Sequence, residues 1–387
     1  MRFWGITGTN GKTTTTWILA AFIDAAPGRR CGYITTVEAF DGRDRYYTGY
    51  TTPPLARLRE IYAAMEANGC TDCAMEVSSH AIHQNRVGFG ETTSFAGGAF
   101  TNLSEDHLDY HKTMEEYFRV KLSFAERIAE GGLRARGWEK GVPASAGRRD
   151  FPPYAVCLDG GFGEEMLAAC GRLPLNVLPV TFRSPRFDLS ELPLVGDYNK
   201  SNTLVAAALA EAAGVPREAI QAAVPSLKPR WGRLERVENP HVQADVYVDF
   251  AHTPDGLEKV LAAARGFTRG RLWVVFGAGG DRDPMKRPPM GEAAARLADR
   301  VVVTSDNPRS EDPMAIIRQI LAGMGGAAGA CAVEPDRAKA IAFALSNAER
   351  GDVVIVAGKG HETTQEIRGV KHPFDDREVV RGFGLQH

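Results

Sequence analysis

Gly8-Thr9-Asn10-Gly11-Lys12-Thr13 stands between an apolar run carrying Phe3, Trp4 and Ile6 and a helix-like stretch from Thr13 to Ala25. Strand, glycine-bearing loop and helix in that order describe a phosphate-gripping turn. Glycines let successive backbone N–H groups converge on phosphate oxygens, and the following helix aims the positive end of its dipole at the same place. In this reading Lys12 meets the β- and γ-phosphates, the Thr13 hydroxyl is offered to Mg2+, and Thr14 carries the loop into the helix. The glycine that the general P-loop pattern places five residues before Gly11 is replaced by Ile6, and Gly8 stands in its stead. The loop begins a few residues after Met1, so the sequence predicts no domain ahead of it.

The chain has 387 residues, enough for two or three domains with ample buried apolar surface. Its 46 basic and 48 acidic side chains leave a formal charge of −2, which steers it towards neither nucleic acid nor an anionic membrane. No apolar run approaches the roughly 20 residues of a membrane helix, and no signal peptide is expected. The six cysteines are scattered; Cys70 and Cys73 form a single CxxC without a second pair, a poor signature for zinc or redox chemistry. The expectation is a soluble cytoplasmic protein.

Short apolar runs alternate with helical patterns, which predicts an α/β fold with parallel sheets covered by helices. Strands are expected at residues 2–6, 73–77 and 95–100, and in the second half at 244–250, 271–276, 300–304 and 352–357. Residues 131–186 read as less regular. A helix over 202–213 ends at Gly214, and turns marked by Pro216, Pro225 and Pro229 place a domain boundary between residues 226 and 227. Each second-half strand runs into a polar or glycine-rich motif. Ligands of open α/β sheets sit beyond the carboxyl ends of strands, so these motifs should cluster.

Several side chains carry chemistry. Glu76 closes an apolar strand, where an unpaired carboxylate is costly; a Mg2+ ion answers that need, and so would a salt bridge. In Thr101-Asn102-Leu103-Ser104-Glu105-Asp106-His107, His107 offers a second metal ligand, or is incidental to an acidic turn. Lys121, in Tyr117-Phe118-Arg119-Val120-Lys121-Leu122, reads from the helix pattern alone as a solvated lysine.

Taken in order, Gly-Thr-Asn-Gly-Lys-Thr, Glu76-Val77-Ser78-Ser79-His80 and the Thr101–His111 segment closely resemble the Mur ligase family of bacterial cell-wall synthesis, nearest to its members that add the third amino acid. Gly232-Arg233-Leu234-Glu235, Asp249–Asp255, Phe276–Asp283, Asp306-Asn307-Pro308-Arg309 and Gly358-Lys359-Gly360-His361-Glu362 extend the resemblance over nearly the whole chain. It implies a central P-loop ATPase domain (residues 1–226) and a Rossmann-like, amino-acid-binding C-terminal domain (227–387). The implied reaction is an ATP-dependent carboxylate–amine ligation through an acyl phosphate. By position, Glu76 and His107 match the family's Mg2+ ligands, beside the Thr13 hydroxyl of the turn, and Lys121 matches a lysine that becomes a metal-binding carbamate. Lys12, Glu76, His107 and Lys121 form the implied catalytic set. Asn199, Arg233 and Asp249 match ATP contacts, with a helix cap for Asn199 and interdomain salt bridges for the other two as the plainer readings. Thr51, Thr52, Ser78, Gln84 and Arg86 match residues that hold the UDP-muramoyl peptide, although Thr51-Thr52-Pro53-Pro54 is also a plausible turn.

Asp306, Asn307, Pro308 and Arg309 are expected to follow a strand and open a helix, a favourable place for a ligand carboxylate. A capping box around Asp306 is the bland reading. Arg309 presents a planar fork suited to a carboxylate, and arginine at this position implies meso-diaminopimelate. Arg282, Gly358 and Glu362 match its remaining contacts, Glu362 being suited to the distal ammonium. The uridine-gripping domain with which family members begin has no counterpart in this reading, which leaves three functions: ligation onto the UDP-muramoyl dipeptide, with a separate UDP-binding polypeptide as one source of affinity; ligation onto a non-nucleotide carboxylate; or an ATP-binding subunit without turnover.

Overall fold

The computed structural model describes residues 1–89, 92–143, 145–228 and 232–385. By its contacts the chain divides into two compact units, Met1–Ser104 with His111–Lys228, and Glu105–Tyr110 with Pro229–His387. The changeover follows Lys228, and the short segment around His107 joins the second unit, which a single boundary at 226/227 does not anticipate. Pro229 lies outside the described residues.

The first unit runs β1 (Arg2–Thr7), α1 (Lys12–Asp24), β2 (Cys31–Ile34), β3 (Ala39–Phe40), β4 (Arg45–Tyr46), α2 (Leu55–Ala67), β5 (Asp72–Glu76), α3 (Ser79–His83) and β6 (Phe95–Phe100). A single turn, α4 (Leu108–His111), falls at the crossing between units. The unit continues with α5 (Met114–Ala135), β7 (Pro153–Cys157), α6 (Gly163–Cys170), β8 (Asn176–Val180), α7 (Asp197–Ala212) and α8 (Arg217–Ala223). Its eight strands lie in the order β4-β3-β2-β5-β1-β6-β7-β8, parallel from β2 onward with β3 and β4 antiparallel at one edge. Residues 131–186 are therefore more ordered than their composition suggests: they supply β7, α6 and β8. Pro179 is tolerated because β8 is an edge strand.

Both faces of this sheet are covered, which is why its strands read as continuous apolar runs. Trp4 and Ile6 pack with Trp17, Phe22, Val205 and Leu209. On the other face Met75 and Phe100 pack with Leu58, Ile61, Phe124 and Ile128. The registers Ile6↔Glu76 and Thr7↔Phe100 set the carboxyl ends of β1, β5 and β6 side by side.

The second unit runs β9 (Glu235–Val237), β10 (Asp245–Asp249), α9 (Pro254–Arg265), β11 (Leu272–Phe276), α10 (Arg287–Leu297), β12 (Arg300–Val303), α11 (Pro313–Gly323), β13 (Ala332–Val333), α12 (Arg337–Asn347), β14 (Val353–Ala357), the hairpin β15 (Thr364–Ile367) and β16 (Val370–Pro373), and α13 (Asp376–Gly382). The sheet order is β13-β12-β11-β14-β10-β9, parallel except for β9. The registers Asp249↔Ala357 and Phe276↔Val303 gather the strand-end motifs.

One buried ion pair ties two of those ends. Arg337, at the start of α12, meets the Asp376 carboxylate with Nε to Oδ1 at 2.7 Å and Nη2 to Oδ2 at 2.7 Å, both side chains being inaccessible. Its guanidinium also donates to Ser305 O at 3.2 Å, beyond β12, and to Ala357 O at 2.9 Å, at the end of β14. Removing one partner strands a buried charge. Arg337→Met should therefore cost about 3–5 kcal/mol in the unfolding of the second unit, read by chemical denaturation. Arg337→Met combined with Asp376→Leu should recover part of that loss.

Candidate active site

The loop after β1 is held by the strand end beside it. Thr9 N donates to Asn102 O at 2.8 Å, Asn10 N donates to Asn102 Oδ1 at 3.0 Å, and Asn10 O accepts from Thr101 Oγ1 at 2.6 Å and Asn102 Nδ2 at 3.0 Å. Thr9 Oγ1 takes the Ser104 amide at 3.1 Å and lies 3.2 Å from the Tyr117 hydroxyl. Gly8 and Gly11 have φ of 152° and 84°, and a Cβ would collide with Thr101 Oγ1 at the first and Asn202 Oδ1 at the second. Only glycine serves there. Lys12 Nζ curls back onto Gly8 O at 3.0 Å and Thr9 O at 2.8 Å, while the Thr13 side chain is buried in the first turn of α1.

Lys121 departs from its helix-pattern reading. It lies on the buried face of α5, 1% exposed, with Nζ donating to Gly8 O at 2.8 Å and standing 4.6 Å from the centre of the Tyr117 ring. The reading misleads because it rests on residue type: by period Lys121 shares the buried face of α5 with Tyr117, Phe124, Ala125 and Ile128.

Glu76 is buried at the end of β5, and among the described residues neither a salt bridge nor bare apolar surroundings greets it: Thr36 donates through N at 2.8 Å and Oγ1 at 3.1 Å. Thr36 also reaches Thr51 Oγ1 at 3.0 Å. Thr52, buried, donates to Glu76 O at 2.8 Å and accepts from Ser78 N at 3.0 Å. Ser78 caps α3, accepting from Ala81 N at 3.2 Å, and Arg86 Nε donates to Gln84 Oε1 at 2.7 Å. Thr51, Thr52 and Ser78 thus gather around Glu76. Asn199 is the third residue of α7 rather than its cap; its Nδ2 donates to Val195 O at 2.7 Å, and the next turn supplies Asn202, the side chain beside Gly11.

His107 lies beyond β6, not on a strand, with φ of 57°; its half-exposed ring is 3.4 Å from Asp106 Oδ2. Burial would push the Asp106 carboxyl up, but His107, Lys286 and His252 outweigh it and hold it below the usual range. Arg233 stacks on the Phe250 ring at 4.7 Å, and Asp249 accepts the Leu234 and Ala251 amides at 2.6 and 2.8 Å; burial raises that carboxyl against Arg233's opposite pull. Among the described residues no group of three His, Cys, Asp or Glu side chains converges as a metal cage. The oxygen donors Thr13 and Glu76 suit a Mg2+ ion that keeps water and phosphate as its other ligands.

The strand-end motifs of the second unit do converge. Asn307 Nδ2 donates to Glu362 Oε2 at 2.8 Å, Gly358 packs on Asp306 Oδ2, and Pro308 abuts Gly280. Arg309 Nη1 donates to Gly280 O at 2.7 Å, and the Arg282 side chain lies against neighbouring Gly279. One correction concerns helix geometry: Asp306–Arg309 do not open α11, which starts at Pro313 under an Asp312 cap whose side chain accepts from Met314 N. The segment is instead a loop zipped to β15. Arg309 N donates to Glu366 O at 3.0 Å and Arg309 O accepts from Arg368 N at 2.6 Å, which holds Arg309 at φ of 51°. That left-handed backbone costs a side-chain-bearing residue about 1–2 kcal/mol. Among the described residues the buried Asp306 Oδ2 atom has no hydrogen-bond partner.

The chain also matches known proteins. The Mur ligase middle domain matches residues 6–135, and the Mur ligase, glutamate ligase domain matches residues 232–360. A UDP-N-acetylmuramoyl-L-alanyl-D-glutamate--2,6-diaminopimelate ligase of Synechococcus elongatus is 42% identical over 391 residues, 97% of this chain and 75% of the relative. The chain belongs to the Mur ligase family. The ligase of the same description from Geobacillus kaustophilus is 41% identical, over 97% of this chain and 77% of its own length. A solved 2,6-diaminopimelate ligase superposes with a TM-score of 0.59 at 31% identity, covering 98% of this chain and 77% of that one. Mycobacterium tuberculosis folylpolyglutamate synthase, at 19% identity and a TM-score of 0.61, covering 92% of this chain and 88% of its own, shares the fold. Mur ligases are ATP-dependent ligases. Among the described residues no helix is long and apolar enough to cross a membrane.

The structure also brings forward residues that sequence reasoning passed over. Asn102 and Tyr117 latch the loop, Thr36 holds Glu76, Lys359 and Glu366 bond to Asn307 Oδ1, and Gln365 donates to Asp306 O. Lys359 lay inside a quoted motif, so its signal was available; Thr36 and Tyr117 depend on contacts that no local pattern encodes.

His361, in the same strand-end cluster, packs on Phe250 with ring centres 4.9 Å apart. Burial, with Arg233 and Arg377 nearby, pushes its imidazole down to about 3 from an ordinary 6.5. The fold thus keeps it neutral while the unfolded chain takes a proton below about 6.5. Stability should fall as pH drops through that value, by at most about 1.4 kcal/mol per pH unit from this group. Denaturation midpoints at about pH 7 and about pH 5 should separate less for His361→Asn than for the wild-type chain.

Proposed function

We propose that this chain joins an amino acid, meso-diaminopimelate, to the terminal carboxylate of UDP-N-acetylmuramoyl-L-alanyl-D-glutamate at the expense of ATP, in the cytoplasm, during peptidoglycan synthesis. The observation that carries the reading is the convergence of Arg282, Asp306–Arg309, Gly358 and Glu362 in a chain 42% identical to a curated 2,6-diaminopimelate ligase. Residues 1–226 are assigned to ATP binding and 227–387 to the amino acid.

The acceptor carboxylate attacks the γ-phosphorus and ADP leaves, giving an acyl phosphate. The amine of the amino acid then attacks the acyl carbon, inorganic phosphate departs, and the amine sheds its proton. Phosphoryl transfer asks the protein for positioning and charge neutralisation more than for covalent help. The Gly8–Thr14 turn and the Lys12 ammonium, released from Gly8 O and Thr9 O, supply that to the phosphates, with Asn199, Arg233 and Asp249 as further ATP contacts. Thr13, Glu76, His107 and a carbamate on Lys121 would hold Mg2+, which when bound offsets phosphate charge. Lys121 is buried with its Nζ against Gly8 O, which places the amine that would take up CO2 beside the phosphate-binding turn. Thr51, Thr52, Ser78, Gln84 and Arg86 hold the acceptor. At the other substrate, Arg309 receives the distal carboxylate as a fork and Glu362 the distal ammonium.

ATP-to-ADP conversion should require both the UDP-muramoyl dipeptide and diaminopimelate. Turnover with diaminopimelate and a different acceptor would redirect the assignment to a non-nucleotide carboxylate, and no turnover with any acceptor would leave an ATP-binding subunit. Lys121→Ala should abolish ligation, and added bicarbonate should not restore it; full activity in that variant would discard the carbamate. Arg309→Ala should raise KM for diaminopimelate by more than about tenfold, from the roughly 1.5–3 kcal/mol of a charged hydrogen bond, while KM for ATP stays put.

A further inference from the structure

Lys359 is wholly inaccessible to solvent, and its ammonium makes three short contacts. Nζ donates to Glu362 Oε2 at 2.8 Å, Asn307 Oδ1 at 3.1 Å and Thr364 O at 2.6 Å. Three donors meet three acceptors, so the charge is fully used. A buried ion pair is nonetheless a poor way to gain stability, since an apolar side chain of similar size would serve the core as well or better. The charge therefore needs a second reason, and its partners suggest one: Glu362 and Asn307 are two of the groups assigned above to the amino-acid substrate.

We propose that Lys359 is a positioning residue for the amino-acid pocket, fixing Glu362 and Asn307 in the orientation that receives the substrate's distal ammonium and carboxylate. The inference rests on the proposed ligation. Asn307 Oδ1 accepts from both Lys359 Nζ and Glu366 N, the latter at 2.9 Å, so both its lone pairs are taken and the amide cannot turn over without breaking two bonds. Nδ2 then faces Glu362 Oε2, leaving one amide hydrogen for a ligand. Glu362 Oε2 is held by Lys359 and Asn307 together, and Oε1 has no hydrogen bond among the described residues. A carboxylate pinned through one oxygen presents the other at a set distance from Arg309, which β15 fixes independently through Glu366. The ruler for the distal end of the substrate is thus built from Lys359 on one side and Glu366 on the other. No residue in this chain of contacts lies on the phosphate-binding turn.

Steady-state kinetics on the full chain test this. Lys359→Met should raise KM for diaminopimelate by about tenfold or more, the loss of one charge-assisted contact, with KM for ATP within about twofold. Lys359→Gln, which keeps an N–H donor and the buried packing, should fall between Lys359→Met and the wild-type chain, and it carries the test if Lys359→Met does not fold. In a Glu362→Gln background, Lys359→Met should add less than about threefold, because the two act through one contact. An unchanged KM for diaminopimelate, equal rises in both KM values, or effects that multiply in the double variant would overturn the role of Lys359. Absence of diaminopimelate-dependent turnover in the wild-type chain would instead sink the ligation itself.

Discussion

The loop from Gly8 to Asn10 runs off the end of its own strand, and the structure depends on where its amides and carbonyls go. They go to Thr101 and Asn102, at the end of the adjacent parallel strand. Parallel pairing makes this possible, since it places the carboxyl ends of β1 and β6 at the same level. With the loop tied sideways, Gly8 O is left pointing at the two lysines that matter, Lys12 from the following helix and Lys121 from α5. The turn is thus held in one conformation by bonds from a neighbouring strand end as well as by its own chain.

The second unit solves the same problem with buried cations. Arg337 ties the ends of β12 and β14, Lys359 ties Asn307 to Glu362, and Arg287 grips the Glu311 carboxylate with paired bonds of 2.7 and 2.8 Å while reaching Gly279 O. Each draws a backbone carbonyl into its circle, so the strand-end loops are set by charge-assisted bonds as well as by packing. Networks of this kind are expensive when incomplete and rigid when satisfied. Arg309 shows the consequence, held in a left-handed conformation by β15.

Much of this could be read from the chain. The strands carrying the motifs were visible because parallel strands covered on both faces are short apolar runs, and the motifs follow them directly. The seven residues assigned to the amino acid come together as the strand-end rule requires. Other features escaped local reading. Residues 131–186 conceal β7, α6 and the edge strand β8 because proline and glycine dilute their apolar signal. Asp306–Arg309 mimics a helix start, yet pairing with β15, some 55 residues later, overrides that preference. Lys121 shows the same limit from the other side, since its residue type cannot tell that Gly8 will lie above it.

The linear chain by itself settles the α/β architecture, the glycine turn and the identity of the strand-end motifs, because these rest on spacing and on backbone freedom within a few residues. Tertiary structure alone decided that Lys121 is buried, that Thr36 shields Glu76, that residues 105–110 cluster with the second unit, and that Lys359 governs Asn307 and Glu362. All four turn on which distant group desolvates or bonds a side chain, and that is set by the register of strands far apart in sequence.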